Sequence, residues 1–378
     1  MFNKRNIAVL LIGLFSLVIV QCKKKADDED LNPDDSFDKA AMLANYADNI
    51  IVPGYTNFKN ATDSLDFATD IFVKNPTISN LKTLQSIFLN AYVRYQAIST
   101  FELGPAEAEL LRASVNIFPC DTNKINSKIA AGNFDLSAIL DIDVKGFPAM
   151  DFLLFNSQQN AAIILSRFTT STNAANAKQY LVAIVTEIKR KSDAIYNGWS
   201  TTGGNYANTF KNNLGSSVGS SLASLVNQFN FNYENLKNAR VGIPLGKKSL
   251  GVLYPNKVEA FYNAQSITMA IEQLKAIENV YLGKDEKGND GLGLDDYLIA
   301  LKTEHPSGML SDVIKTKINL IKQELLKFKG GNFSEMITAN PAQFETLYQH
   351  IFQLTVLIKV DMPSAYGVMI TYEDNDGD

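Results

Sequence analysis

Residues 81–98 read LKTLQSIFLNAYVRYQAI, and their apolar side chains recur at intervals of three and four residues up to the Gly104-Pro105 pair. This spacing places the apolar side chains on one face of a helix with 3.6 residues per turn. Stripes of the same kind begin at Phe37, Tyr55, Leu181, Ile267, Leu310 and Phe344. Alternation with a period of two is nearly absent, and its best example, residues 249–255, is short. We therefore expect an all-α fold built from helical bundles.

A change in composition divides the helical pattern at residues 200–220, where glycine, serine, threonine and asparagine dominate. Such a stretch is typical of a loop or linker rather than of a helix interior. The expected organisation is therefore a first helical-bundle domain at residues 37–204 and a second one at residues 205–378.

Residues 1–21 have the pattern of a lipoprotein signal peptide. Two basic residues precede an apolar run, Ile7–Val20, that is too short to span a bilayer. We expect Cys22, which follows this run, to be the lipidated first residue of the mature chain; a plain secretory signal with an incidental cysteine is the alternative.

Residues 22–36 are densely charged and lack apolar periodicity, which predicts a disordered acidic tether between the lipid and the fold. This tether resembles a surface-export signal of lipoproteins, and a solvated spacer facing the periplasm is the alternative. The expected location is therefore that of an outer-membrane lipoprotein on the periplasmic or the cell-surface face, held to the membrane by its N-terminal lipid.

Common signatures of catalysis and metal binding are missing from the sequence. The net charge of −5 and the absence of a basic stripe argue against nucleic acid as a partner. The two histidines, His305 and His350, form no H-x-x-x-H pair, so an ordinary zinc site is not expected. Neither a G-x-S-x-G motif nor a phosphate-binding loop occurs. Cys120 has no partner if Cys22 carries lipid, and it is expected to be a small buried apolar residue.

The segment GFPAMDFLLF, residues 146–155, can be explained without any chemistry. Proline is favoured at the first position of a helix, where its missing N–H would have no partner. An aspartate in the first turn complements the positive end of the helix dipole. On this local interpretation, Pro148 and Asp151 only begin a helix.

The same segment resembles the signature of the imelysin family, also described as imelysin-like iron-regulated proteins. Those proteins carry G-x-H-x-x-E at a helix start, and here Gly146, Pro148 and Asp151 stand at the three positions. Further segments resemble the family in the same order, namely residues 92–105, 115–126, 239–246, 255–266 and an end of the Bacteroidetes type at 361–378.

The resemblance implies two helical-bundle domains packed around an interdomain cleft on the outer surface of a membrane. Family members are linked to iron or haem acquisition, and a peptidase activity has been attributed to some. Glu259 and Ser266 match the family's second-domain helix. With Asp151 they would either face the cleft and bind an extended polar ligand, or form hydrogen bonds between the domains.

The replacement of the motif histidine bears on metal binding and hydrolysis together. Proline has no side-chain donor or acceptor, and Asp151 alone cannot hold a metal ion or relay a proton. We therefore assign no catalytic or metal-ligating residue and expect a lipid-anchored, non-catalytic binding protein that assists iron or haem uptake, with iron or haem as its ligand. The alternatives are a cell-envelope peptidase that uses acids without the histidine and a structural partner of an outer-membrane receptor.

Overall fold

The computed structural model describes residues 37–132, 135–136, 139–156 and 160–372, with only the backbone of residues 139 and 140. The expected signal peptide, Cys22 and the tether lie outside the described residues. The described residues from Asp38 onward belong to one compact unit. The boundary between residues 204 and 205 stays a prediction. Among the described residues, none of the helices combines the length and the apolar character needed to cross a bilayer.

Helices account for almost all of the regular structure, which confirms the all-α class. The α-helices in the described part of the chain are α1 (Lys39–Asn45), α2 (Val52–Lys74), α3 (Ile78–Ile98), α4 (Pro105–Ala108), α5 (Leu111–Val115), α6 (Thr122–Ala131), α7 (Gly146–Leu154), α8 (Ala161–Thr169), α9 (Ala174–Trp199), α10 (Tyr206–Asn212), α11 (Ser221–Asn235), α12 (Ser266–Tyr281), α13 (Leu294–Ala300), α14 (Leu310–Lys327), α15 (Phe333–Ala339), α16 (Glu345–Val356) and α17 (Met362–Tyr366).

Shorter helical segments of other types join some of these helices. Three are π-helical, at Tyr46–Ile51, Leu236–Gly242 and Leu357–Asp361, and three are 3₁₀ segments, at Ile139–Val144, Pro255–Lys257 and Pro341–Phe344. Two short antiparallel strands, β1 (Glu304–His305) and β2 (Gly308–Met309), form a hairpin. The stretch 249–255, which the sequence favours as extended, forms no strand. Residues 249–251 lie in a turn, where the N–H groups of Ser249 and Gly251 both bond to the carbonyl oxygen of Gly246.

Helix α3 lies at the centre of the packing. It packs against α2 and α12, and α2 also packs against α9, which in turn contacts α7. All six apolar side chains of its predicted stripe are buried, as the 3.6-residue periodicity requires: Leu81, Leu84, Phe88, Ala91, Tyr95 and Ile98. Because α3 contacts both α7 and α12, residues from distant parts of the chain meet along this helix.

An aromatic cluster anchors the beginning of α7 in this core. The ring of Phe147 stacks on that of Tyr92 with centroids 4.6 Å apart, and it also contacts the rings of Phe58, Phe88 and Tyr95. Aromatic contacts of this kind contribute about 0.5–1.5 kcal/mol each beyond the burial of area. The signature segment is therefore held rigidly against α3.

Candidate functional site

Helix α7 begins at Gly146. The local interpretation of the sequence instead makes Pro148, two residues later, the first residue of the helix. Gly146 has a φ of +74°, and a Cβ there would lie 2.3 Å from the carbonyl oxygen of Val115. Only glycine fits this turn, since other residues rarely adopt positive φ and the neighbouring atom is backbone. Pro148 is the third helical residue, where the missing N–H still has no intrahelical partner to lose.

Asp151 does not interact with the helix N-terminus, because it is the sixth residue of α7. Its side chain is only 1% exposed. Its Oδ2 accepts a hydrogen bond of 2.9 Å from the backbone N–H of Tyr262, and its Oδ1 has no partner among the described residues. The first-turn role expected from local sequence is therefore wrong, and the carboxyl group instead ties α7 to the loop before α12.

Burial decides the protonation of Asp151. The loss of hydration raises the pKa of this carboxyl to about 8, although the backbone N–H groups of Tyr262 and Asn263 lower it in part. Desolvation disfavours the charged form of a carboxyl, and two backbone dipoles do not replace its water shell. Asp151 is therefore mainly neutral at pH 7.

Glu259 is also buried, and its carboxylate is fully engaged by side chains. Arg240 donates from Nε to Oε2 and from Nη2 to Oε1, the latter at 2.8 Å. Oε1 further accepts hydrogen bonds from Asn116 at 2.7 Å, Gln96 at 2.9 Å and the hydroxyl of Tyr92 at 3.1 Å. Burial alone would raise the pKa of Glu259, but the Arg240 charge and these donors outweigh it and hold the pKa below its usual value.

Ser266, the first residue of α12, contacts the backbone of Glu259 rather than its carboxylate. Its Oγ donates to the carbonyl oxygen of Glu259 at 2.5 Å, and the side chain is buried. The hydrogen bond from Ser266 to Glu259 closes the turn between these two residues, and Asp151 accepts the backbone N–H of Tyr262 in the middle of that turn. The structure brings these three predicted residues together, but as parts of a buried network.

Arg240 and its companions were not among the residues that the sequence singled out. Arg240 lies in the π-helical segment Leu236–Gly242, and Gln96 and Asn116 come from α3 and from the residue after α5. A signal was available in the quoted segment 239–246, where one arginine stands among small and apolar residues. A buried glutamate requires a cation nearby, and that arginine is the natural partner.

The residues at the motif do not fit a metal ion. Pro148 has no ligand atom, and Glu259 is committed to Arg240. Burial raises the pKa of the Cys120 thiol to about 12, and its Sγ lies 3.4 Å from the carbonyl oxygen of Pro148, which it contacts as a weak donor. No group of three or more His, Cys, Asp or Glu side chains in the described parts of the chain could hold a cation.

A cavity of about 110 Å³ borders this network on the side of Arg240. The lining residues that carry polar or aromatic groups toward it include Tyr95, Arg112, Asn116, Phe118, Asn235 and Arg240. The buried network therefore has one face on which a ligand could bind.

Comparisons with known proteins agree on one family. The family model described as imelysin matches residues 51–359. No curated protein shows significant similarity to the chain.

Two solved structures share the fold. One is a protein of Parabacteroides distasonis named as an iron-regulated protein A precursor, with 19% identity, a TM-score of 0.70 and coverage of 87% of this chain and 95% of that one. The other is an imelysin-like protein of Psychrobacter arcticum, with 16% identity, a TM-score of 0.64 and coverage of 88% and 97%.

Proposed function

Because the chain belongs to the imelysin family, we propose that it is a lipid-anchored, non-catalytic binding protein that assists iron or haem uptake. The link to iron rests on the structural neighbour named as an iron-regulated protein. One observation supports a non-catalytic role: the carboxylate of Glu259 is paired with Arg240, and proline occupies the motif position where the family has histidine. A carboxylate bound to an arginine and three further donors is not available as a base or a ligand.

Binding of iron or haem is tested by the melting temperature of the purified full chain. A ligand that binds only the native state raises the free energy of unfolding by RT ln(1 + [L]/Kd), about 2.7 kcal/mol at a hundredfold excess over Kd. We expect haem or ferric iron to raise the melting temperature by several degrees. Identical melting temperatures with haem, ferric iron and ferrous iron would remove the support for this function.

The state of Asp151 favours a second candidate, a cell-envelope peptidase. Burial raises the pKa of this carboxyl to about 8, and a raised pKa is typical of groups that transfer protons in catalysis. This candidate requires proteolysis that disappears in Asp151→Asn. Absence of cleavage of unfolded protein substrates by the native chain excludes it.

A restored signature tests the proposed loss of metal binding. The double variant Pro148→His with Asp151→Glu recreates the family pair at i, i+3 on α7. If the substitution at the motif alone accounts for the loss, the double variant gains affinity for divalent metal in a calorimetric titration. Pro148→Ala, which supplies no ligand atom, is the matched control and should gain none.

The membrane anchor is a separate part of the proposal. We propose that Cys22 carries the lipid and that the fold faces a receptor in the outer membrane. Mass spectrometry of the mature N-terminus should find a diacylglyceryl cysteine at position 22, and Cys22→Ser should move the protein from the membrane fraction to the soluble fraction. Retention of the serine variant on the membrane would contradict the anchor.

A further inference from the structure

The cavity beside the buried ion pair is lined by two arginines and by no acidic side chain of the described residues. Its volume of about 110 Å³ exceeds several times the roughly 10–15 Å³ that one water molecule needs. Glu102, the acidic partner of Arg112, lines a different cavity. Among the charged side chains described, only these two guanidinium groups face the cavity, and their carboxylate partners, Glu259 and Glu102, do not line it.

Arg240 presents a free edge of its guanidinium to the cavity. Its Nε and Nη2 groups are occupied by Glu259 and by Oε1 of Gln96, the latter at 2.8 Å. Its Nη1 group has no hydrogen-bond partner in the parts of the chain that the structure describes. The residue as a whole is only 5% exposed. Its Nη1 keeps some contact with solvent, so an anion that enters the cavity can reach these two N–H donors.

Two further polar groups line the cavity without an internal partner. Tyr95 is 2% exposed, and its hydroxyl makes no hydrogen bond with the described residues. Burial raises the pKa of this hydroxyl, and both ion pairs act on it: the charges of Arg112 and Arg240 lower the pKa, whereas those of Glu102 and Glu259 raise it. Asn235, at the end of α11, likewise has a side-chain amide without a partner among the described residues.

Arg112 is held in place from the side of Glu102. Its Nη1 lies 3.2 Å from Oε2 of Glu102, and its Nη2 donates to Oε1 of Gln228 at 3.0 Å. The guanidinium also lies 4.3 Å from the ring centroid of Phe231. These contacts fix its plane, and a fixed planar fork suits recognition of a planar oxyanion better than a flexible lysine would.

From this geometry we propose that the cavity binds the carboxylate group of a small organic acid. Two guanidinium groups, a phenol and an amide converge on it, with the ring of Phe118 at 5.8 Å from the Arg240 guanidinium as an apolar wall. The proposal rests on the proposed function in one respect, because the acid could arrive as a chelate of ferric iron or as the propionate of haem. A free organic acid would offer the same carboxylate chemistry.

Calorimetric titration of the full chain separates these sources. The probes are citrate alone, citrate with ferric iron, haem and inorganic phosphate. We expect one citrate per chain, with phosphate binding at least tenfold weaker, because the carbon skeleton of citrate can pack on the ring of Phe118 and inorganic phosphate has no apolar part. Binding of phosphate but not of citrate would overturn the carboxylate assignment.

Two variants place the bound acid in this cavity. Asn235→Asp adds a negative charge without changing the size of the side chain and should weaken citrate binding at least tenfold. Asn90→Asp makes the same change at an exposed position of α3 and should leave binding unchanged. Tyr95→Phe removes one hydroxyl that makes no internal bond and should weaken binding by about tenfold, whereas Tyr196→Phe on α9 should have no effect.

The outcomes distinguish this proposal from the proposed function. Citrate binding that Asn235→Asp leaves unchanged overturns the cavity as the site, even if haem still raises the melting temperature. Citrate binding that Asn235→Asp weakens, together with no response to iron or haem, supports the cavity and contradicts the iron-related function. Equal melting temperatures of the native chain and both variants without ligand show that the variants are folded.

Discussion

The free energy of unfolding of the native chain should fall as pH rises, because Asp151 is buried. Replacing Asp151 by asparagine should remove this fall. The pKa of this buried carboxyl is about 8 in the folded protein against an ordinary value of 3.8. Between these values the folded state binds one proton more than the unfolded state. The free energy of unfolding therefore falls as pH rises through this window, and the stabilising contribution is complete below about pH 4 and lost above about pH 8.

The size of the effect follows from the width of the window. Each pH unit changes the free energy of unfolding by about 1.4 kcal/mol, so the whole window amounts to roughly 6 kcal/mol. Asparagine has no such proton to lose, and its side-chain oxygen can still accept the N–H of Tyr262. Relative to the native chain, Asp151→Asn should gain about 1.4 kcal/mol per unit between pH 5 and pH 8.

Urea denaturation of both proteins at each pH from 5 to 9 measures this difference directly. The difference in the free energy of unfolding should rise with pH and become constant above pH 8. Asp290→Asn, which makes the same change at an exposed carboxyl in the loop 283–293, is the control for the effect of the substitution as such. A difference that is constant, or that shrinks as pH rises, would refute the burial argument for Asp151.

Three other substitutions or modifications test the structure around the site. Gly146→Ala should lower the free energy of unfolding by more than about 2 kcal/mol in urea denaturation, because it combines positive φ with a backbone clash. Gly288→Ala, which also has positive φ but open space for a Cβ, should cost only about 1–2 kcal/mol. Glu259→Gln leaves the buried Arg240 without a counter-charge and should lower the free energy of unfolding by about 3–5 kcal/mol. Adding Arg240→Met should recover part of that loss. Strictly additive losses in the double variant would contradict the ion pair. Cys120 should react with iodoacetamide at pH 8 at least a hundredfold more slowly in the folded chain than in urea, because burial raises the pKa of its thiol to about 12. Peptide mapping by mass spectrometry measures this rate. Equal rates in the two states would contradict the effect of burial on the thiol.

The predictable part of the site was its position in the sequence. Asp151, Glu259 and Ser266 lie in one buried network, because the segment around α7 and the segment before α12 meet along α3. Gly146 and Pro148 instead lie against Val115 and Cys120. The role of each side chain was harder to infer. Local reasoning placed Asp151 near a helix dipole, whereas its actual partner is a backbone N–H that lies 111 residues away.

Helix formation was encoded locally, so the sequence alone determined the all-α class and the buried face of α3. Spacings of three and four residues specify which side chains share a face, and no distant contact is needed to read them. The pairing of Glu259 with Gln96 and Asn116, across 163 and 143 residues, was decided only by tertiary packing. Burial and charge compensation depend on which residues surround a group in space, and that is why the same carboxyl group is ionised at Glu259 and mainly neutral at Asp151.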